Sequence, residues 1–178
     1  VSVIQAHTVI SCTVSAGSGN GYSSTVNVSG TSVLTQSRFS YNPPEIHNIS
    51  KVFTSGGLIT VEGRNFGLSN ATIELQYDGI IHACEQPSYL QFHTQITCKL
   101  PPANPYPWIL TLRLSNDSAT QPFRYAAPEV QNVSRVSTSG GVVRVEGYSF
   151  GDAGADVSVT VDGEACRDVE HVTNHSVL

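Results

Sequence analysis

The stretch NISKVFTSGGLITVEG at residues 48–63 returns at 132–147 as NVSRVSTSGGVVRVEG, and the match extends beyond it. Pro44 answers to Pro128, Gly56-Gly57 to Gly140-Gly141, and Phe66-Gly67 to Phe150-Gly151, each 84 residues apart. A constant offset over such a span means duplicated structural units. Followed backwards, it pairs RFSY (38–41) with PFRY (122–125), so part of another copy precedes the two obvious ones.

Prolines mark the edges. YNPPEI (41–46) and YAAPEV (125–130) each close one unit and open the next, since proline fixes φ and disfavours helix in the residue before it. The chain therefore divides into residues 1–42, the C-terminal half of a unit; 43–127, a complete unit; and 128–178, the N-terminal portion of a further one. It carries no initiator Met or signal peptide and reads as a mature fragment. A unit of about 85 residues buries a small core and gains from a covalent staple.

Within each unit the period is two. Ile59 and Val61 alternate with Thr60 and Glu62 in GLITVEG (57–63), as Val143 and Val145 do with Arg144 and Glu146 in GVVRVEG (141–147). Further strands are predicted over 24–29, 71–77, 108–114 and 157–161, with Asp78-Gly79 and Asp162-Gly163 as turn signals. No stretch holds a helical period over ten residues. Several short strands with a turn about every ten residues predict an all-β chain of antiparallel sandwiches.

The succession Pro-x-Ile/Val, SGG, a strand ending VEG, NFG or SFG, a Cys, a second Cys in TC, and a closing Phe-x-Tyr resembles the IPT/TIG domains. In the complete unit it is carried by Pro44, Gly56, Gly57, Gly63, Phe66, Gly67, Cys84, Cys98, Phe123 and Tyr125. These domains are immunoglobulin-like sandwiches of plexins, hepatocyte-growth-factor-type receptors, other cell-surface proteins, Rel-type transcription factors and some starch-active enzymes. The resemblance implies tandem sandwiches and leaves function open, because one fold hosts several activities. The glycines and Phe66 have scaffold roles: turns before strands, and an apolar plug at the sandwich end.

Cysteines follow the domain phase. Cys84 and Cys98 lie in the complete unit and are predicted to bond, closing a loop whose chain-entropy contribution is roughly 3 kcal/mol. Cys166 matches Cys84 and Cys12 matches Cys98, each in a half-unit without its partner, so their bond would run to a neighbouring chain or a missing segment. With no C-x-x-C spacing, a structural disulfide outweighs a metal site, and no cofactor is expected. His7, His93 and His175 recur at matching positions and read as turn or packing residues. Asp152, Asp156, Asp162, Glu164 and Asp168 lack the loop pattern of a Ca²⁺ site and read as a solvated acidic face.

Sequons supply the sharpest chemical signal. Asn27, Asn48, Asn70, Asn116, Asn132 and Asn174 each begin N-x-S/T, while Asn42 is excluded by the proline after it. Ten asparagines in a chain of this Ser and Thr content would give roughly two by chance. Six such sites beside paired cysteines point to N-linked glycans and to the extracellular space or cell surface of a eukaryote.

A net charge of −5 with two lysines, Lys51 and Lys99, opposes nucleic acid and anionic membranes as partners. No apolar run approaches the length of a membrane span. No Ser-His-Asp order, acid pair or phosphate loop occurs, so no enzyme is expected. The leading reading is an extracellular glycosylated structural or adhesive repeat protein acting by spacing, self-association, or as a filament or coat component. The second is an ectodomain segment of a plexin-like receptor, and the third an accessory domain of a secreted carbohydrate-active enzyme. Expected partners are neighbouring repeats or copies of the chain, including a head-to-tail joint in which two half-units complete one domain. The simpler account of the half-units is a longer polypeptide that continues into both.

Overall fold

In the computed structural model, residues 2–5 and 7–177 are described; the outer bounds of the first and last units, at residues 1 and 178, lie outside them. The structure is all-β, with no helix among the described residues. β1 (Ser2–Gln5) pairs with β2 (Val9–Ser11), and β3 (Thr25–Val28) with β4 (Thr31–Leu34). Eight strands follow: β5 (Glu45–Ile49), β6 (Gly57–Arg64), β7 (Ala71–Tyr77), β8 (Ile80–Ala83), β9 (Glu85–Gln91), β10 (Gln95–Leu100), β11 (Trp108–Leu114) and β12 (Asp117–Phe123). The last are β13 (Glu129–Val133) paired with β14 (Val145–Tyr148), and β15 (Thr160–Val161) paired with β16 (Glu164–Ala165).

The eight central strands form two four-stranded antiparallel sheets, ordered β5-β6-β10-β9 and β12-β11-β7-β8. Alternation decides which side chains go in. Ile59, Val61, Ile96, Cys98 and Leu100 from one sheet meet Ile73, Leu75, Trp108, Leu110, Leu112 and Leu114 from the other in a single buried cluster. Fully burying each such side chain is worth about 1.5–3 kcal/mol. Between them, Leu58 and Ile109 face outward. The Asp78-Gly79 turn takes positive φ at both residues and joins β7 to β8 with Tyr77 opposite Ile80, the two-residue hairpin its sequence predicts.

Cys84 and Cys98 are bonded. Cys84 directly follows β8 and Cys98 lies within β10, so the bond staples one sheet to the other across the core. Gly63 has a second structural duty: a side-chain carbon there would sit 1.9 Å from the carbonyl oxygen of Glu45 on β5 and 2.6 Å from the Phe66 ring. Gly147 meets Glu129 and Phe150 in the same way. The "VEG" repeat is thus fixed by close approach of two backbones.

Residues 15–41 reproduce the anchors of the second half of the central unit. The Tyr125 hydroxyl donates to Pro101 O at 2.9 Å and Trp108 Nε1 to Asn104 O at 2.9 Å; Tyr41 donates to Ser15 O at 2.7 Å and Tyr22 to Ser18 O at 2.6 Å. Burial pushes the Tyr125 hydroxyl up to about 12. Tyr22 bridges Phe39 as Trp108 pairs with Phe123. The difference is cover: Tyr22 is 45% exposed where Trp108 is 2%.

Two expected strands are shorter than their sequences predict. The 141–147 segment is strand only from Val145, and 157–161 only at Thr160–Val161. In the central unit the corresponding residues are held by β10 and β11. The described residues after 128 contain no counterpart of those ladders, and a strand without a partner leaves its backbone groups to water.

Replacing both Cys84 and Cys98 by alanine should lower stability by about 3 kcal/mol, read as a shift of the guanidinium unfolding midpoint. Gly63→Ala should cost on the order of 3 kcal/mol or more in the same assay, because β5 must move.

Candidate functional site

All six sequon asparagines are exposed. Asn48 on β5 and Asn132 on β13 stand at matching ladder irregularities, after Ile46 and after Val130, and each sends Nδ2 to a facing glutamate, Glu62 or Glu146, at 3.2 Å. Their sequon serines are structural as well. Ser50 Oγ accepts the Thr60 amide and Ser134 Oγ the Arg144 amide, both at 2.8 Å, which ties the end of the first strand of each unit to the second. Repetition of N-x-S at this position therefore has a scaffold cause whether or not a glycan is attached. Asn27 on β3 donates to Ser32 Oγ at 2.7 Å across its hairpin. Asn70 precedes β7 with φ of 62°, Asn116 caps the β11–β12 hairpin, and Asn174 occupies the turn before His175.

Cys12 is exposed and Cys166 half-buried, and neither is bonded within the chain. His7, His93 and His175 all take left-handed backbone, at φ of 66°, 66° and 68°. His93 O accepts the Phe66 amide at 3.0 Å and its N–H donates to Gly67 O at 2.9 Å; His175 repeats both bonds with Phe150 and Gly151. The recurring histidine closes the turn that buries the phenylalanine plug. Among the described residues no three His, Cys, Asp or Glu side chains converge as metal ligands.

The chemistry the sequence concealed lies in the joints between units. At the second joint Asn104, 8% exposed, donates from Nδ2 to Asp152 Oδ1 at 2.8 Å and accepts the Asp152 amide on its own Oδ1 at 2.9 Å. The Gly154 amide donates to the same Asp152 oxygen at 2.8 Å. Beside this ring the Thr54 amide donates to Ser149 Oγ at 3.2 Å, and the Phe53 and Tyr148 rings stack at 4.7 Å. Asp152 is thereby withdrawn from the acidic face the sequence suggested. An open groove of about 480 Å³ follows the joint, lined by residues that include His82, Tyr106, Trp108, Asp152 and Asn174.

The first joint uses the same seat. A side-chain carbon on Gly151 would lie 2.8 Å from Asn104 Oδ1, and one on Gly67 would lie 2.9 Å from Ser18 Oγ. Ser18 corresponds to Asn104, since their carbonyls accept the equivalent Tyr22 and Trp108 bonds. Each unit thus rests one polar residue on the glycine of the next unit's Phe-Gly turn. Leu68 follows Gly67 where Asp152 follows Gly151, so no carboxylate stands beside the seat of the first joint, which is clasped instead through Asn20. The Asn20 amide donates to Asn116 Oδ1 at 3.1 Å, and its side chain bonds Asn116 and Asp117. An aligned view of the two Phe-Gly turns would have suggested the seat; nothing in the sequence pattern suggested the clasp.

No family model matches the chain, and no curated protein matches it. A solved structure described as a crystal structure with xylogluco-oligosaccharide aligns at a TM-score of 0.45 and 17% identity, over 91% of this chain and 49% of its own length.

The second joint is expected to weaken in acid. The bond from Asn104, then that from Gly154, holds the Asp152 carboxyl below its usual 3.8 against the opposing effect of burial, with His175 and His171 adding to the lowering. Burial lowers His175 from its usual 6.5, with Asp152 opposing and His171 assisting. Both groups bind protons more weakly in the folded joint than in the unfolded chain, so stability rises with pH. His175's share is present above 6.5 and lost as pH falls through its depressed value; Asp152's is present above 3.8 and lost below. Amide shifts of Thr54 and Asp152 should move in these two windows during an NMR titration, and Asp152→Asn should abolish the lower step. Asn104→Ala should remove on the order of 1–2 kcal/mol from the joint, read as faster amide exchange at Thr54.

Proposed function

We propose that the chain is part of an extracellular, glycosylated structural or adhesive repeat protein: a run of IPT/TIG-type units that sets a distance and associates with neighbouring repeats or with copies of itself. The observation that carries this reading is the joint built twice on one plan, Ser18 against Gly67 and Asn104 against Gly151. A seat repeated at successive boundaries propagates one unit-to-unit geometry, which is what a spacer or filament requires. Six exposed sequons and a disulfide across the core support secretion. No helix of the described residues is long and apolar enough to cross a membrane.

Complementary faces support self-association. Ile10, Tyr22 and Phe39 are exposed in residues 1–42, whereas their counterparts Ile96, Trp108 and Phe123 are buried in the core cluster of the central unit, to which β6 contributes Ile59 and Val61 and β7 Ile73 and Leu75. Residues 141–161 carry the same pattern as β6 and β7, so they have the chemistry to cover that face in a neighbouring copy.

Secretion from a eukaryotic host, followed by intact mass before and after glycosidase and by small-angle scattering, tests the reading. A mass loss on glycosidase and an elongated profile are expected. An unchanged mass overturns the glycoprotein assignment, and a profile no longer than that of a single unit overturns the spacer.

A further inference from the structure

Among the six sequons, Asn116 differs in what its amide does. Its Nδ2 donates to Asn20 O at 3.1 Å and to Asn20 Oδ1 at 2.5 Å, while its Oδ1 accepts the Asn20 amide at 3.1 Å. All the hydrogen-bonding capacity of the Nδ2 group is therefore committed to residues 1–42. Asn27, Asn48 and Asn132, by contrast, donate within their own units. The approach is close, since a side-chain carbon on Gly19 would lie 3.1 Å from Asn116 Oδ1 and 3.6 Å from Ser115 Cβ.

We propose that glycosylation of Asn116 and docking of residues 1–42 through Asn20 exclude one another, so that occupancy of this one sequon sets whether the first joint is clasped or open. The inference rests on the glycoprotein reading above. In the transfer step Asn116 Nδ2 attacks the anomeric carbon of a polyisoprenyl-diphosphate-linked oligosaccharide. The new C–N bond replaces the sugar–phosphate C–O bond, the polyisoprenyl diphosphate leaves, and Nδ2 gives up one proton. A single N–H remains where the clasp uses two donations, and a sugar ring replaces the lost hydrogen on a nitrogen that faces Asn20. The hydrogen bonds that do not use Nδ2 are those from the Asn20 side chain to Asp117 and from the Asn20 amide to Asn116 Oδ1, beside the close approach of Ser18 to Gly67. A glycan at Asn48 or Asn132 meets no such conflict, because each asparagine is itself exposed and its remaining N–H can still reach its glutamate.

Ser118→Ala tests this cleanly, because it removes the sequon hydroxyl and leaves Asn116 intact; Ser118 is an exposed strand residue opposite Arg113. Wild type and variant are secreted from one glycosylating host, Asn116 occupancy is read by glycopeptide mass spectrometry, and amide exchange is followed across residues 17–22. Exchange there is expected to be about tenfold slower in Ser118→Ala than in chains occupied at Asn116. Asn20→Ala should erase that difference, and the β6–β10 ladder should exchange alike in all. Equal exchange in occupied and bare chains overturns the proposal, as does an Asn116 left bare while other sequons carry glycans. A chain bare at every sequon removes the glycoprotein reading with it.

Discussion

The Phe66-Gly67 turn is the point on which both core and array depend. Phe66 is fully buried, its amide and the following carbonyl are bound by the His93 backbone, and Tyr89 donates to its carbonyl at 2.9 Å. With both sides of the turn fixed from within, Gly67 is presented outward as a flat surface with no side chain. Ser18 of the preceding unit occupies the space a β-carbon would need. Packing inside one unit therefore determines how the previous unit sits on it. Phe150, His175 and Gly151 repeat the arrangement.

Seat and clasp are separable. The seat needs only a glycine and a small polar residue, and it is the same at both joints. The clasp changes: a reciprocal amide–carboxylate ring at Asn104–Asp152, an amide–amide pair at Asn20–Asn116. The first carries a charge-assisted bond to a largely buried asparagine, and such bonds are roughly twice as strong as neutral ones. The second is exposed, and its amide–amide pair is joined by a bond from Asn20 to the Asp117 carboxylate.

Much of the fold was legible in the sequence because it is written in local patterns. Alternation at 57–63, 71–77 and 108–114 gave strands with nearly the observed bounds, since those segments pair on both edges. Asp78-Gly79 gave its hairpin, and the spacing of Cys84 and Cys98 gave their bond. The segments at 141–147 and 157–161 have equally clear alternation and fall short, because a strand also needs neighbours that periodicity does not report. The joints were illegible for a related reason. Asn20 and Asn116, or Asn104 and Asp152, are polar residues far apart in sequence, and only the docking of whole units brings them together. Asn48 and Asn132 carried a different lesson, since the serines of their sequons turned out to hold strand to strand.

The covalent staple also governs how the central unit behaves when pulled from its ends. Chain enters at β5 and leaves after β12, an edge strand of each sheet, so tension can peel these first. The 14-residue interval between Cys84 and Cys98 is closed by their bond and adds no contour, withholding roughly 45 Å of extension. Even a fully unravelled unit would keep a short knot at its centre, and its maximum reach would be set by the redox state of its surroundings.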